Sequence, residues 1–284
     1  MSVLKNIEYI QGDISILETD KSLNILWGVQ PRTLPGLEFL IPIIQIVKFI
    51  KLGHSVTILL ADIHELLDSP KLNLDKIRNR GKAYQILIQL LVELFDANAN
   101  NICYKFGSDF QLSSDYILDF YKISSLTTID QTFTAREIDI SSTQMNSMIY
   151  PILQSLDEKY VNCDIFYGST TQKNMCKYSE NLMKKYCNNK NVLYLLQDLN
   201  KKIKISFFDS LDTIQSIIED FTTEDVEYLY TNILLPLLEL RGENVNIQSD
   251  KKEMIAQLLS IHLDQFYDNL LASNFNELYY KGWY

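Results

Sequence analysis

The side chains best able to do chemistry in this 284-residue chain are few and scattered. Its three histidines are His54, His64 and His262, and its four cysteines are Cys103, Cys163, Cys176 and Cys187. A structural zinc site needs ligands paired at short spacing, as in CxxC, and no such pair occurs. The thiols therefore read as reduced and mostly buried, with no metal site expected. Histidines this far apart also do not suggest a Ser-His-Asp hydrolase triad. Phosphate cradles need glycine, because a residue without Cβ lets successive backbone N–H groups approach anionic oxygens. The nine glycines present form neither GxGxxG nor GxxxxGKS.

Charge is the other chemical resource. A net charge of −10 opposes a nucleic-acid backbone, since that affinity rests on Lys and Arg displacing condensed counterions. The charge is unevenly spread. Between residues 173 and 204 eight lysines stand against Glu180 and Asp198, whereas from 205 to 284 fourteen acids face four basic residues. The 173–204 segment reads either as a solvated helix face beside an acidic region or as an RNA-facing edge.

The elements that must position these groups follow from apolar patterning. Short runs rich in β-branched and apolar residues, at 23–27, 55–60, 102–106, 163–167 and 192–196, alternate with longer helical patterns. That alternation predicts an α/β fold with a doubly wound parallel sheet, its strands covered on both faces. Helices are expected at 36–52, closed by Gly53, and at 74–95, 113–124, 146–161 and 172–186. Beyond about residue 208 only helical patterns remain, at 211–220, 223–240 and 251–271. The expected organisation is a sheet domain over 1–208 and a small helical domain over 209–284. The longest uncharged apolar stretch, 39–47, contains Pro42 and is far short of the roughly 20 residues a membrane span needs. The N-terminal residues carry no secretion signal, so a cytoplasmic, reducing location is expected. The aromatic ending, Tyr279, Tyr280, Trp283 and Tyr284, is expected to dock on the body or on a partner.

A resemblance sharpens this picture. The passage LWGVQPRTLPGLEFLIPIIQIVKFIKLGHSVTILLADIHELLD, residues 26–68, resembles the start of the catalytic domain of eukaryotic and archaeal tyrosyl-tRNA synthetases. The likeness continues in order through GSDFQL at 107–112, residues 115–125 and TARE at 134–137. It is sharpest at MIYPILQSLD, 148–157, and goes on to Cys163-Asp164 and Gln172-Lys173, returning more weakly at 226–240. The implied fold is the Rossmann-like core of a class I synthetase followed by a shortened anticodon-binding-like domain.

The resemblance implies a tyrosine pocket at the C-terminal ends of the strands. Tyr150, Gln154 and Gln172 match the family residues that hold the amino acid's ammonium group, and Asp157 matches the carboxylate that meets its phenolic hydroxyl. Leu26 stands where the family has a tyrosine that also touches the phenol, and Thr171 where it has an aspartate. A buried polar site of this kind rejects the analogue lacking the hydroxyl by about 10⁴ to 10⁵, a figure established on a tyrosyl-tRNA synthetase. The nucleotide side departs further. The HIGH-type signature, whose histidine binds the phosphates, corresponds here to Pro35-Gly36-Leu37-Glu38, so Gly36 replaces the histidine and Glu38 adds negative charge. The KMSKS-type loop is absent from the run LLQDLNKKIKISFFDSLD at 195–212, leaving Lys201, Lys202 and Lys204 as its only basic remnants. Gly28 and Arg32 are the remaining candidates for nucleotide contacts. Little sequence is left between Arg241 and Lys251, where family members place structure that reads the anticodon.

Three readings follow. In the first, the chain is a synthetase-like pseudoenzyme without a cofactor, retained for binding a protein or RNA partner. In the second it is a divergent but active tyrosine–tRNA ligase that uses ATP and Mg²⁺, with Lys201, Lys202 and Lys204 standing in for the lost loop. In the third it binds RNA through the 173–204 segment. Family members pair through the surface near 124–137, so a homodimer, or a heterodimer with another protein, is expected.

Overall fold

Strands rich in valine, isoleucine and leucine form the centre of the molecule. The structure, a computed structural model, describes residues 3–284 apart from 19, 98, 139–143, 187–190, 200–202, 204 and 243–250. Six strands make one sheet: β1 (Tyr9–Gln11), β2 (Asn24–Val29), β3 (Ser55–Leu60), β4 (Ile102–Phe106), β5 (Ile165–Ser169) and β6 (Leu193–Gln197), in the order β1-β6-β5-β2-β3-β4. β2 pairs in parallel with both β3 and β5. The chain therefore winds outward from β2 to β4, then crosses back to lay β5 on the other side of β2. That reversal opens a crevice at the carboxyl ends of β2 and β5, where open α/β sheets place their ligands.

The five parallel strands fall on the five sequence-predicted ones, shifted by at most two residues at either end. β1 was not foreseen, and it makes the sheet mixed: Tyr9 pairs with Leu196 antiparallel at the edge. Side chains alternate between two buried faces, as strands covered on both sides require. Ile25, Trp27, Ile58, Ile165, Tyr167 and Leu195 pack into one core, and Leu26, Leu59, Phe166, Tyr194 and Leu196 into the other.

The first core is covered by α1 (Leu40–Lys51) and α3 (Leu74–Glu93), with a short helix α2 (Asp62–Asp68) directly after β3. Gly53 follows α1 at φ +85°, the left-handed conformation that ends a helix at low steric cost. The other face carries α4 (Ser114–Ser124), α5 (Ile129–Arg136), α6 (Asn146–Val161) and α7 (Lys173–Tyr186). α5 begins with a reciprocal cap between Thr128 and Gln131.

After β6 come α8 (Leu211–Glu219), α9 (Thr223–Leu229), α10 (Leu235–Arg241), α11 (Lys251–Ala272) and α12 (Phe275–Trp283). The expected helix over 223–240 is present and runs through a π turn at Tyr230–Leu234, with helical backbone on both sides of it. Pro236 follows this turn; its ring has no N–H for the carbonyl of residue 232, and a widened turn is one way a helix accommodates that loss. The first core runs without interruption into these helices, through Val226, Leu234, Phe266 and Leu278. The aromatic ending docks on the body: α12 lies along α3, where Arg80 Nε donates to the Gly282 carbonyl at 2.8 Å and the guanidinium stacks on Trp283. Among the described residues no helix is long and apolar enough to cross a membrane.

Candidate functional site

A cavity of about 510 Å³, including its open mouth, sits at the crevice between β2 and β5. Its walls are apolar on the strand side, from Leu26, Leu59, Ala61 and Phe166, and polar on the helix side. Tyr150, Gln154 and Asp157 project into it together because positions i, i+4 and i+7 share one face of α6. Gly28 and Gln30 complete its β2 edge, and nothing within 4 Å would meet a Cβ at Gly28.

Gln172 reaches the cavity from the turn after β5. Its Oε1 accepts the Ser169 N–H at 3.0 Å, which locks the side chain, and a Cβ on Gly168 would collide with it. Thr171 is exposed and turned toward Ser169, with its hydroxyl donating to Ser169 Oγ at 3.0 Å.

The floor of the cavity is an incompletely satisfied polar cluster. Asp157 Oδ1 accepts from Gln111 Nε2 at 2.7 Å and from the Tyr116 hydroxyl at 2.9 Å, while Oδ2 has no partner. His64, on α2, holds Nε2 3.8 Å from Oδ2, and neither of its ring nitrogens is hydrogen-bonded. Nine buried side-chain polar atoms are unpartnered among the described residues, and four of them belong to His64, Gln111 and Asp157. Buried polar groups are rarely left unmatched, so this concentration is where the cavity floor offers hydrogen-bonding atoms to a ligand or to water. Burial sets the charges: desolvation pushes Asp157 up to about 7 and His64 down to about 4. His64 is thus a neutral imidazole near pH 7.

Around Tyr150 lies a second layer of charge. The Arg136 guanidinium stacks over its ring at 4.3 Å and approaches Asp68 at 3.7 Å. Arg32, a candidate nucleotide contact, is turned the other way: its Nε meets the buried Glu65 at 3.0 Å and its Nη2 meets Asp68 at 2.7 Å. It is the partner of two carboxylates on α2.

The segment expected to meet phosphates is closed against the chain itself. Gly36 forms an isolated antiparallel bridge with Ser206, and Leu37 N–H donates to the Ile205 carbonyl at 2.8 Å. A Cβ at Gly36 would lie 2.9 Å from that carbonyl oxygen and 2.5 Å from Glu38 Oε2. Glu38 Oε2 is itself buried and unpartnered. Lys201, Lys202 and Lys204 lie outside the described residues. Among the described residues no group of three or more His, Cys, Asp or Glu side chains could hold a metal ion. Cys163 and Cys176 are buried and Cys103 is exposed, while Cys187 lies outside the described residues.

The structure thus brings Gly28, Tyr150, Gln154, Asp157 and Gln172 to one cavity and leaves Arg32, Gly36 and Glu38 out of it. His64, Gln111 and Tyr116 were not singled out from sequence, although each lies in a stretch that carries the resemblance. Of the lysine stripe, Lys177 and Lys185 line a groove of about 830 Å³ between α5 and α7, Lys184 pairs with Glu180 at 2.6 Å, and Lys173 sits over the Tyr9 ring.

Comparison with known proteins bears on the family and the fold. The sequence profile of the family described as tRNA synthetases class I (W and Y) matches residues 18–224. A probable cytoplasmic tyrosine–tRNA ligase of Encephalitozoon cuniculi is 27% identical over 275 residues, covering 89% of this chain and 82% of that one. A second, from Vairimorpha ceranae, is 32% identical over 180 residues, but the match spans only 62% of this chain and 55% of the relative. In three dimensions the chain superposes on the tyrosyl-tRNA synthetase of Archaeoglobus fulgidus, solved with L-tyrosine, with a TM-score of 0.79. The identity there is 18%, with 94% of this chain and 97% of that one covered, which is evidence of shared fold. A profile match over most of the chain, set beside a six-stranded α/β core with its crevice between β2 and β5, identifies the chain as a member of the class I tRNA synthetases of the W and Y family, of tyrosyl-tRNA synthetase-like type.

Proposed function

We propose that this chain holds tyrosine without activating it: a pseudoenzyme of the synthetase family that acts through a macromolecular partner in the cytoplasm. The observation that carries this reading is the Ile205 carbonyl packed against Gly36. Adenylation needs donors aimed where charge grows on the phosphates, and only interactions stronger in the transition state than in the ground state accelerate it. Here a carbonyl oxygen and the Glu38 carboxylate occupy the neighbourhood in which the family places an imidazole. These residues do not fit a triphosphate with Mg²⁺, so no step is drawn through either. Loss of a single such donor is worth about 10² to 10³ in rate in other enzymes.

Retention of the amino-acid pocket is supported by the polar cluster at its floor and by Tyr150, Gln154 and Gln172 at its rim. A partner surface is supported by the groove between α5 and α7 and by the exposed apolar residues Leu118, Tyr121, Leu126 and Ile129 on and between α4 and α5. A second copy of this chain, or a related synthetase, is the occupant this reading favours. RNA along Lys177 and Lys185 is the alternative.

The second reading, a divergent tyrosine–tRNA ligase using ATP and Mg²⁺, draws on the same intact pocket floor. Tyrosine-dependent ATP–pyrophosphate exchange separates the two. The pseudoenzyme reading expects L-tyrosine to bind in calorimetry and exchange to stay at background. Exchange above background that Asp157→Ala abolishes would overturn it.

A further inference from the structure

Leu26 leaves the pocket without the second polar side chain that a phenolic hydroxyl meets in the resembling family, and the fold supplies another from a different element. We infer that His64 is a specificity-determining residue, which donates from Nε2 to the hydroxyl of a bound phenolic amino acid while Asp157 Oδ2 accepts that hydroxyl's proton. The inference rests on the proposal that the cavity takes tyrosine.

Three independent features place His64 for this. First, α2 is anchored on both sides of it. The buried Asp62 accepts the Ser108 N–H at 2.8 Å and the Ser108 hydroxyl at 2.5 Å, and Glu65 is held by Arg32 at 3.0 Å and by the Ser69 hydroxyl at 2.6 Å. The imidazole between them packs edge-on against Tyr150 with ring centroids 4.5 Å apart, which fixes its plane. Second, both ring nitrogens are buried and unpartnered, and His64 lines the cavity. An unsatisfied buried polar group costs free energy, so a ligand that satisfies one recovers it on binding.

Third, the spacing fits one bridging oxygen. At 3.8 Å, Nε2 and Oδ2 are too far apart to bond directly, yet a hydroxyl between them sits at ordinary hydrogen-bond length, roughly 2.8 Å, from each. A phenol has what both partners need: its O–H donates to the carboxylate and its lone pair accepts from an N–H. The groups facing His64 are Asp157 and Asp68 on the acidic side and Arg136 on the basic side, with desolvation dominating over all three. The ring is therefore uncharged near neutral pH and can donate from Nε2. Leu26, buried on the opposing strand, contributes only an apolar wall.

The test is the ratio of L-tyrosine to L-phenylalanine affinity by calorimetry. Wild-type chain should prefer tyrosine. His64→Leu, which keeps volume and removes both nitrogens, should lower the ratio about 5- to 150-fold, the factor that corresponds to the 1–3 kcal/mol of a partner left unpaired. Phenylalanine affinity should hold or rise, and His64→Gln, which retains a donor, should recover most of the ratio. An equal fall for both ligands would mean that His64 only shapes the pocket, and an unchanged ratio would mean that it does not meet the hydroxyl; either overturns the inference.

Should the leucine variant fail to fold, the wild-type protein still decides. The ¹⁵N resonances of the His64 ring, assigned by their loss in His64→Gln, should move on adding tyrosine and stay in place on adding phenylalanine. Movement with both ligands or with neither overturns the inference. Wild-type protein that binds neither amino acid would instead remove the tyrosine-pocket reading beneath it.

Discussion

At the scale of single residues, Asp157 links the pocket to the stability of the fold. Its carboxyl is fully buried and held up to about 7 by desolvation, against two hydrogen bonds that favour the charged form. A carboxyl whose folded value is raised binds its proton more tightly folded than unfolded. Stability therefore falls as pH rises from about 4 to about 7 and levels off above that range. His64 acts at the opposite end: its value is lowered to about 4, so stability falls as pH drops below 6.5. Asp157→Asn removes the first dependence and leaves the second. Urea denaturation at pH 4.5 and at pH 8 should show the variant gaining on the wild type at the higher pH. The upper bound on that gain is about 4 kcal/mol, the free-energy equivalent of the shift. A constant difference at the two pH values would show that Asp157 is not buried as described. The cluster itself was only half legible in the sequence. Tyr150, Gln154 and Asp157 announce a shared face by their helical spacing, but His64, Gln111 and Tyr116 join them from other elements, and only the folded sheet brings those elements together.

At the scale of elements, what the sequence revealed depended on length and on the kind of signal. The five parallel strands and α6 were readable because apolar content and period suffice for them. β1 is three residues long and exists only through its pairing with β6. α5 has a weakly amphipathic run, IDQTFTAR, and its clearest mark is the Thr128–Gln131 cap, which apolar periodicity does not register. α12 is settled by contact: Gly282 lets it lie close on α3, where a Cβ would come 2.8 Å from Arg80 Cγ and 3.1 Å from the Arg80 backbone nitrogen. Gly282→Ala should force the helices apart at a cost of about 1–3 kcal/mol, the usual range for overpacking. The readout is a lowered urea midpoint accompanied by a red shift in Trp283 emission, measured in a background where Trp27 is replaced by phenylalanine. An unchanged midpoint and spectrum would show that α12 does not rest on α3.

At the scale of the whole molecule, the question is what the exposed apolar residues on α4 and α5 do. Soluble monomers rarely leave a large contiguous apolar patch uncovered. Leu118, Tyr121, Leu126 and Ile129 follow one another along α4 and α5, beside the groove lined by Lys177 and Lys185. Sedimentation velocity at micromolar concentration should show a dimer that Tyr121→Glu combined with Ile129→Glu converts to monomer, leaving thermal stability nearly unchanged. A wild-type monomer would rule out self-association through this face. The pairing of residues 36 and 206 bears on a separate matter, the reversibility of change. No side chain larger than hydrogen has room at position 36 until the Glu38 carboxylate and the segment carrying the Ile205 carbonyl move. Placing histidine there by one substitution would bring a clash before any benefit, and shifting the segment around Ile205 first would bring no benefit at all. On the pseudoenzyme reading proposed above, a lineage carrying this contact is held by a ratchet: an imidazole at this position requires two coordinated changes, neither of which is favoured without the other.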